Sequence, residues 1–198
     1  MLVVDFDKLR AIYKFGSELS YSDLSVLISA ARLKKHPADT VLIDYGSSKD
    51  VVLFILKGLV RSFWTNERGE DITTSLFWEN QVMFNADIIF FNEPSKYVYQ
   101  TLEPTRLLLL PREKLNALVA KSPKLEAHRK LVHNQLLSIS AERIHDFVTL
   151  SPEERYLKFV YSNPDLVNRV PNKYIAHILG VTPVSLSRIR KRIASKKI

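Results

Sequence analysis

The side chains best suited to chemistry cluster at the end of this 198-residue chain, among Lys173, Thr182, Ser185, Arg188, Arg190, Lys191, Arg192, Lys196 and Lys197. These are cations and hydroxyls with no nucleophile motif among them, so the chemistry they offer is recognition of an anion. Arg188 can place its planar fork on guanine O6 and N7, worth about 1–3 kcal/mol of base discrimination. Val184 could touch a thymine methyl, and Thr182 and Ser185 could bond phosphate from a helix N-terminus. Lys173, Arg190, Lys191, Arg192, Lys196 and Lys197 would then serve as phosphate contacts carrying no sequence information.

Two short helices must position these groups. Ile175, Ile178 and Leu179 give the first helix an apolar face, and Ala176 is small where the helices cross. Gly180 falls at a turn that calls for a left-handed residue. Val181 is expected to be buried there, Thr182 to cap the second helix and Pro183 to occupy its first position, where no amide donor is needed. Leu186 and Ile189 face inward at a spacing of three. That leaves Val184, Ser185, Ser187, Arg188 and Lys191 outward, the layout of a helix-turn-helix that sets one helix in a DNA major groove.

Charge agrees with this placement. Residues 151–198 carry ten Lys or Arg against three Asp or Glu, a net +7, whereas residues 1–150 carry only +1 of the overall +8. Basicity so concentrated implies an anionic partner for the last quarter of the chain. With no cysteine, disulfides and thiolate nucleophiles are excluded. No Walker loop, nucleophile motif or metal-spaced histidine pair occurs, so neither an enzyme nor a metal site is expected. Met1–Asp5 lack the basic region and apolar core of a secretory signal, and no apolar run approaches the roughly 20 residues of a membrane span. A cytoplasmic protein without membrane contact is expected.

Upstream, residues 5–34 read as helical, with a capping box at Ser20–Asp23. From Thr40 to about Leu110 the pattern changes to short strands: Val51–Leu56, Leu59–Thr65, Asp71–Phe77, Tyr97–Leu102 and Arg106–Leu110. Turns at Asn66–Gly69 and Glu103–Thr105 separate them. Ser122-Pro123 opens a long helix to about Val148, along which Leu125, Val132, Leu136 and Ile139 form an apolar stripe suited to pairing with a second copy. Ser151-Pro152-Glu153-Glu154 opens the terminal domain. The expected class is α+β: a β-sandwich or β-roll (jelly-roll) domain over 1–121, a dimerisation helix over 122–150 and a DNA-binding domain over 151–198.

The motif Ile175–Arg190, the segment Glu154-Arg155-Tyr156-Leu157 and the glycine-marked turns at Gly46, Lys57-Gly58 and Glu67-Arg68-Gly69-Glu70 together resemble the cyclic-AMP receptor protein (Crp/Fnr) family of bacterial transcription regulators. The helix-turn-helix is most similar to the Bacteroidetes branch. The resemblance covers nearly the whole chain and implies a cyclic-nucleotide-binding-like roll and a winged helix-turn-helix. It also implies a homodimer on a palindromic double-stranded DNA site, with RNA polymerase as a further partner. Pro183 and Val184 stand where that branch has Arg and Glu reading bases, so the operator should differ. Members that bind cyclic AMP carry Gly-Glu-Leu for the ribose and Arg-Ser for the cyclic phosphate. Here the corresponding residues are Phe84, Asn85 and Ala86, then Pro94 and Ser95, with only Lys96 as a nearby cation. No cofactor is therefore expected and cyclic AMP is not expected to bind. Phe84, Ile88, Ile89, Phe90 and Phe91 suggest an apolar lining in its place, either a filled core, which is the default, or a pocket for another ligand. His128, His133 and His145 on the long helix read as surface or interface residues rather than haem ligands. The alternative is a small-molecule sensor or scaffold whose terminal domain grips protein, a binding that salt would weaken far less than DNA binding.

Overall fold

A computed structural model describes residues 19–195, so Lys196 and Lys197, expected to touch phosphate, and residues 5–18 of the expected N-terminal helical stretch lie outside the described residues. Contacts divide the described residues into two compact units, one of residues 19–64 and 75–133, the other of residues 65–74 and 134–195.

In the first unit, α1 (Tyr21–Ala30) starts at the expected capping box: Ser20 Oγ accepts from Asp23 N, and Ser20 N donates to Asp23 Oδ2. The helix stops earlier than its pattern suggests, because Arg32–His36 forms β1, which among the described strands is an edge strand paired with β8. Its sequence, Arg-Leu-Lys-Lys-His, has no apolar alternation, and charged edge strands discourage pairing with other chains. The remaining strands are β2 (Val41–Ile43), β3 (Val51–Lys57), β4 (Val60–Thr65), β5 (Asp71–Phe77), β6 (Val82–Phe84), β7 (Val98–Thr101) and β8 (Thr105–Pro111). They form two four-stranded sheets, ordered β1-β8-β3-β6 and β2-β7-β4-β5.

Leu53, Ile55, Val60, Met83, Tyr99 and Leu107 meet between the sheets. On the other face of β3 and β8, Phe54 and Leu108 pack under α1, α2 (Arg112–Val119) and the start of α3 (Pro123–Thr149). Cover on both faces explains why β3 is apolar without alternation. Leu125 lies in this second cluster, 5% exposed. Assigning it to a dimer stripe is therefore corrected: its side chain fills the core of its own unit.

The second unit holds the rest of α3, then α4 (Pro152–Ser162), α5 (Leu166–Arg169), α6 (Asn172–Ile178) and α7 (Pro183–Ser195), together with the tip of the β4–β5 hairpin. Asn66 Oδ1 folds that tip by accepting from Arg68 N and Glu70 N, both at 2.9 Å. From residue 150 to 195 no strand occurs among the described residues, so the expected wing is not seen there.

Candidate nucleic-acid interface and effector region

The capping box of α4 forms as expected, with Ser151 Oγ accepting from Glu154 N and Ser151 N donating to Glu154 Oε2. These bonds to Ser151 hold the Glu154 carboxyl below its ordinary range. Lys158 Nζ ties α4 to α3 through Glu142 (2.6 Å) and Asp146 (2.7 Å). Arg155 spans from α4 to the turn after α6: its Nε donates to Leu179 O and its Nη1 to Leu150 O, while its guanidinium lies 4.8 Å from the Phe147 ring. Helix-end carbonyls that would otherwise lack donors are satisfied in this way.

The turn itself is a Schellman motif. Val181 N donates to Ala176 O and Gly180 N to His177 O, both at 3.0 Å, with Gly180 at φ +67°. A β-carbon at Gly180 would lie 2.6 Å from Phe147 Cε1. Thr182 Oγ1 accepts from Ser185 N at 3.1 Å, and Leu186 and Ile189 are buried against α6 with Ile175 and Ala176. Val184 is 61% exposed, and Ser187, Arg188 and Lys191 stand on the same outward side of α7. Pro183 and Lys173 are exposed at the starts of α7 and α6.

Thr182 and Ser185 are both used and still available. Their hydroxyls share one hydrogen bond, 2.9 Å long, which consumes one of their two protons and leaves the other for an outside acceptor. Both residues and Arg188 line an open cleft whose other side includes Ser151 and, from the hairpin tip, Ile72.

Two expected phosphate contacts have other work. Arg190 Nη1 donates to Asn172 Oδ1 and its guanidinium sits 5.9 Å from the Tyr156 ring, so it braces α7 on α6 and α4. Arg192 pairs with Glu153 at 3.1 Å. Lys173, Arg188 and Lys191 therefore carry the outward positive charge among the described residues of this helix pair. Nothing in their spacing distinguishes these cations from Arg190 and Arg192.

Comparison with known proteins fits both units. Residues 33–122 match the family model of the cyclic nucleotide-binding domain. FixK2 from Bradyrhizobium japonicum shares the fold with a TM-score of 0.73 at 14% identity, over 85% of this chain and 86% of that one. The global regulator CLP of Xanthomonas campestris, described as c-di-GMP responsive, gives 0.69 at 13% identity over 90% and 93%. A candidate transcriptional regulator of the Crp/Fnr family from Eubacterium rectale gives 0.68 at 14% identity over 91% and 86%. The chain shares its fold with these solved structures. No curated protein matches the chain significantly in sequence.

In the roll, the candidate effector residues Asn85 and Ser95 are turned inward and bonded to their own backbone, while Phe84 is half-buried. Asn85, 1% exposed, donates from Nδ2 to Ser47 O at 3.4 Å, and Ser95 N donates to the same carbonyl at 3.0 Å. Ser95 Oγ donates to Tyr97 O. Lys96 does not join them: its ammonium is exposed and bonded to Glu93 at 2.6 Å, a pairing that raises its pKa. Asp87, which residue-type reasoning passed over, is buried and accepts the Lys96 N–H at 2.9 Å. Its one sequence signal is a lone acid directly before the apolar run Ile88–Phe91. Nearby, burial pushes the Tyr99 phenol up to about 12.

The π-helical turn Asp87–Phe91 also corrects the filled-core expectation. Ile88 is buried, but Phe90 and Phe91 are exposed, with Phe90 edge-on to Phe84 at 5.9 Å and to His133 at 6.5 Å. His128 is buried and His145 exposed. Among the described residues no His, Cys, Asp or Glu cluster could hold a metal ion, and no helix is long and apolar enough to cross a membrane.

Proposed function

We propose that this chain is a sequence-specific DNA-binding transcription regulator, acting as a homodimer on a palindromic site, and not an enzyme. The observation that carries the reading is the outward side of α7, where Val184, Ser187, Arg188 and Lys191 stand exposed on a helix held by a Schellman turn and a threonine cap. The shared fold of Crp/Fnr regulators supports it. Arg188 reads guanine, Val184 meets a thymine methyl, and Lys173, Lys191, Thr182 and Ser185 hold phosphates. Pro183 and Val184 give the site a sequence different from that of the Bacteroidetes branch.

The second copy is held through α3. Val132 and Leu136 are half-buried and Ile139 is exposed, while Leu137, Ile144 and Val148 form a second, more exposed apolar stripe at spacings of seven and four. That exposed stripe is the stronger candidate for the pairing seam, and Ile144→Glu should convert dimer to monomer in sedimentation.

In the roll, the effector is not cyclic AMP. A phosphate entering beside Ser95 would meet the buried Asp87 carboxyl, and the ammonium of the adjacent Lys96 is bound to Glu93. Burying an anion without a matched cation is costly. Duplex selection from random DNA tests the main reading. A palindrome should emerge whose affinity falls steeply with salt, by roughly 0.9 log unit per log unit of salt for each phosphate neutralised. Binding that ignores salt would favour a protein partner.

A further inference from the structure

Asn85 and Asp87, at the entry to the π-helical turn, both reach toward the stretch Ser95–Lys96. The Asn85 amide donates to the Ser47 carbonyl that the Ser95 N–H also uses, and Asp87 Oδ2 takes the Lys96 N–H at 2.9 Å. Each side chain still keeps an acceptor. Asn85 is 1% exposed, yet its Oδ1 accepts no hydrogen bond among the described residues. The Asp87 carboxyl, 5% exposed, receives that one N–H from them, on Oδ2, so its Oδ1 is unmatched. A buried acceptor without a donor is costly, and a buried carboxylate without a cation more so. The Lys96 ammonium is bonded to Glu93 instead.

We propose that Asn85 and Asp87 form the head-group site for a primary organic ammonium ligand: Asp87 supplies the counter-charge, and Asn85 Oδ1 accepts a second N–H. The inference deepens the reading of the roll as an effector domain and rests on it. An ammonium head carries three donors and no acceptor, which complements two unmatched acceptors, one of them charged. A phosphate or carboxylate would be repelled from the same place. Phe84, half-buried and next to Asn85, lies edge-on to the exposed Phe90 at 5.9 Å. These rings offer contacts to an apolar arm and attract a cation over their faces. A bare inorganic ion would leave them unused. Between Asp87 and Ser95 the chain is exposed throughout Phe90–Pro94, so both acceptors lie close to solvent along the chain. π-Helical turns are frequent at functional sites.

Calorimetric titration of the full chain without DNA tests this. The probe is 2-phenylethylammonium chloride, charged at neutral pH as a lysine side chain is. Tetramethylammonium chloride and potassium chloride at equal ionic strength are the controls. The probe should bind to saturation and the controls should not, since tetramethylammonium has no N–H and potassium has no arm. Asp87→Asn can still accept the Lys96 N–H, so it should fold, and it should weaken the probe by more than about tenfold. Asn85→Ala should weaken it by about tenfold. No binding of the probe would overturn the proposal, as would equal binding of either control or an affinity unaltered in Asp87→Asn. Failure of the protein to select a duplex would defeat the DNA-binding reading and leave this titration unaffected.

Discussion

The first unit spends its polar side chains on itself, whereas the second leaves several of them unspent. Asn85, Asp87 and Ser95 lie buried in the roll and bond to backbone groups of their own unit. In the helix-turn-helix, Ser187, Arg188 and Lys191 stand on the surface, and the Thr182–Ser185 pair keeps a spare hydroxyl proton. Both units use a glycine in a left-handed turn, but with different neighbours. A β-carbon at Gly58 would lie 2.7 Å from the Thr105 backbone Cα, while at Gly180 it meets the rim of the Phe147 ring. Backbone in a paired strand cannot yield, and an aromatic ring can. A side chain at Gly58 would therefore meet an unyielding neighbour, and one at Gly180 a yielding one.

The largest expected effect tests that contrast. Gly58→Ala should destabilise the roll by more than about 3 kcal/mol, because strain at positive φ adds to a backbone clash. Gly180→Ala should cost about 2 kcal/mol, since Phe147 can turn aside. Denaturant melts followed by Trp64 and Trp78 fluorescence report the first unit, where both tryptophans lie, and far-UV circular dichroism of the helices reports the second. Equal losses would remove the distinction.

Alkali should also act on the roll. The Tyr99 phenol, held protonated to about 12 by burial, ionises near 10 in the unfolded chain. The unfolded state therefore binds fewer protons between pH 10 and 12, and stability falls as pH rises through that window, by about 2–3 kcal/mol. Tyr99→Phe should flatten this part of the profile in thermal melts.

On the second unit, Arg188→Ala should lose about 1–3 kcal/mol of discrimination at one base position. Lys191→Ala should weaken all duplexes alike and reduce the salt slope by about 1. Arg190→Ala should instead lower stability, because its guanidinium is held by Asn172 and Tyr156. Competition assays with substituted duplexes separate the three. Identical behaviour of Arg188→Ala and Lys191→Ala would contradict base reading by Arg188.

Much of the second unit was legible in its residues because its devices are local. Gly180, Thr182 and Pro183 act within one turn, and Ser151 with Glu154 closes a box four residues long. The hairpin turn at Asn66–Gly69 and the box at Ser20–Asp23 follow the same logic. Strand β1 was not legible, since a charged edge strand has no buried face to impose a period. The three-residue strands β2 and β6 and the five-residue turn at Asp87 are too short to show one.

By itself the sequence determined where the helices begin and turn, which strands alternate or run apolar, and that positive charge gathers after residue 150. Caps, turns and net charge depend on near neighbours, so they can be read along the chain. Only the tertiary structure decided which groups are spent. It gave Arg190 to Asn172, Arg192 to Glu153, Lys96 to Glu93, Leu125 to the core and His177 to a hairpin more than 100 residues earlier. Each pairing depends on distance in space, and residue types spaced along a chain do not encode it.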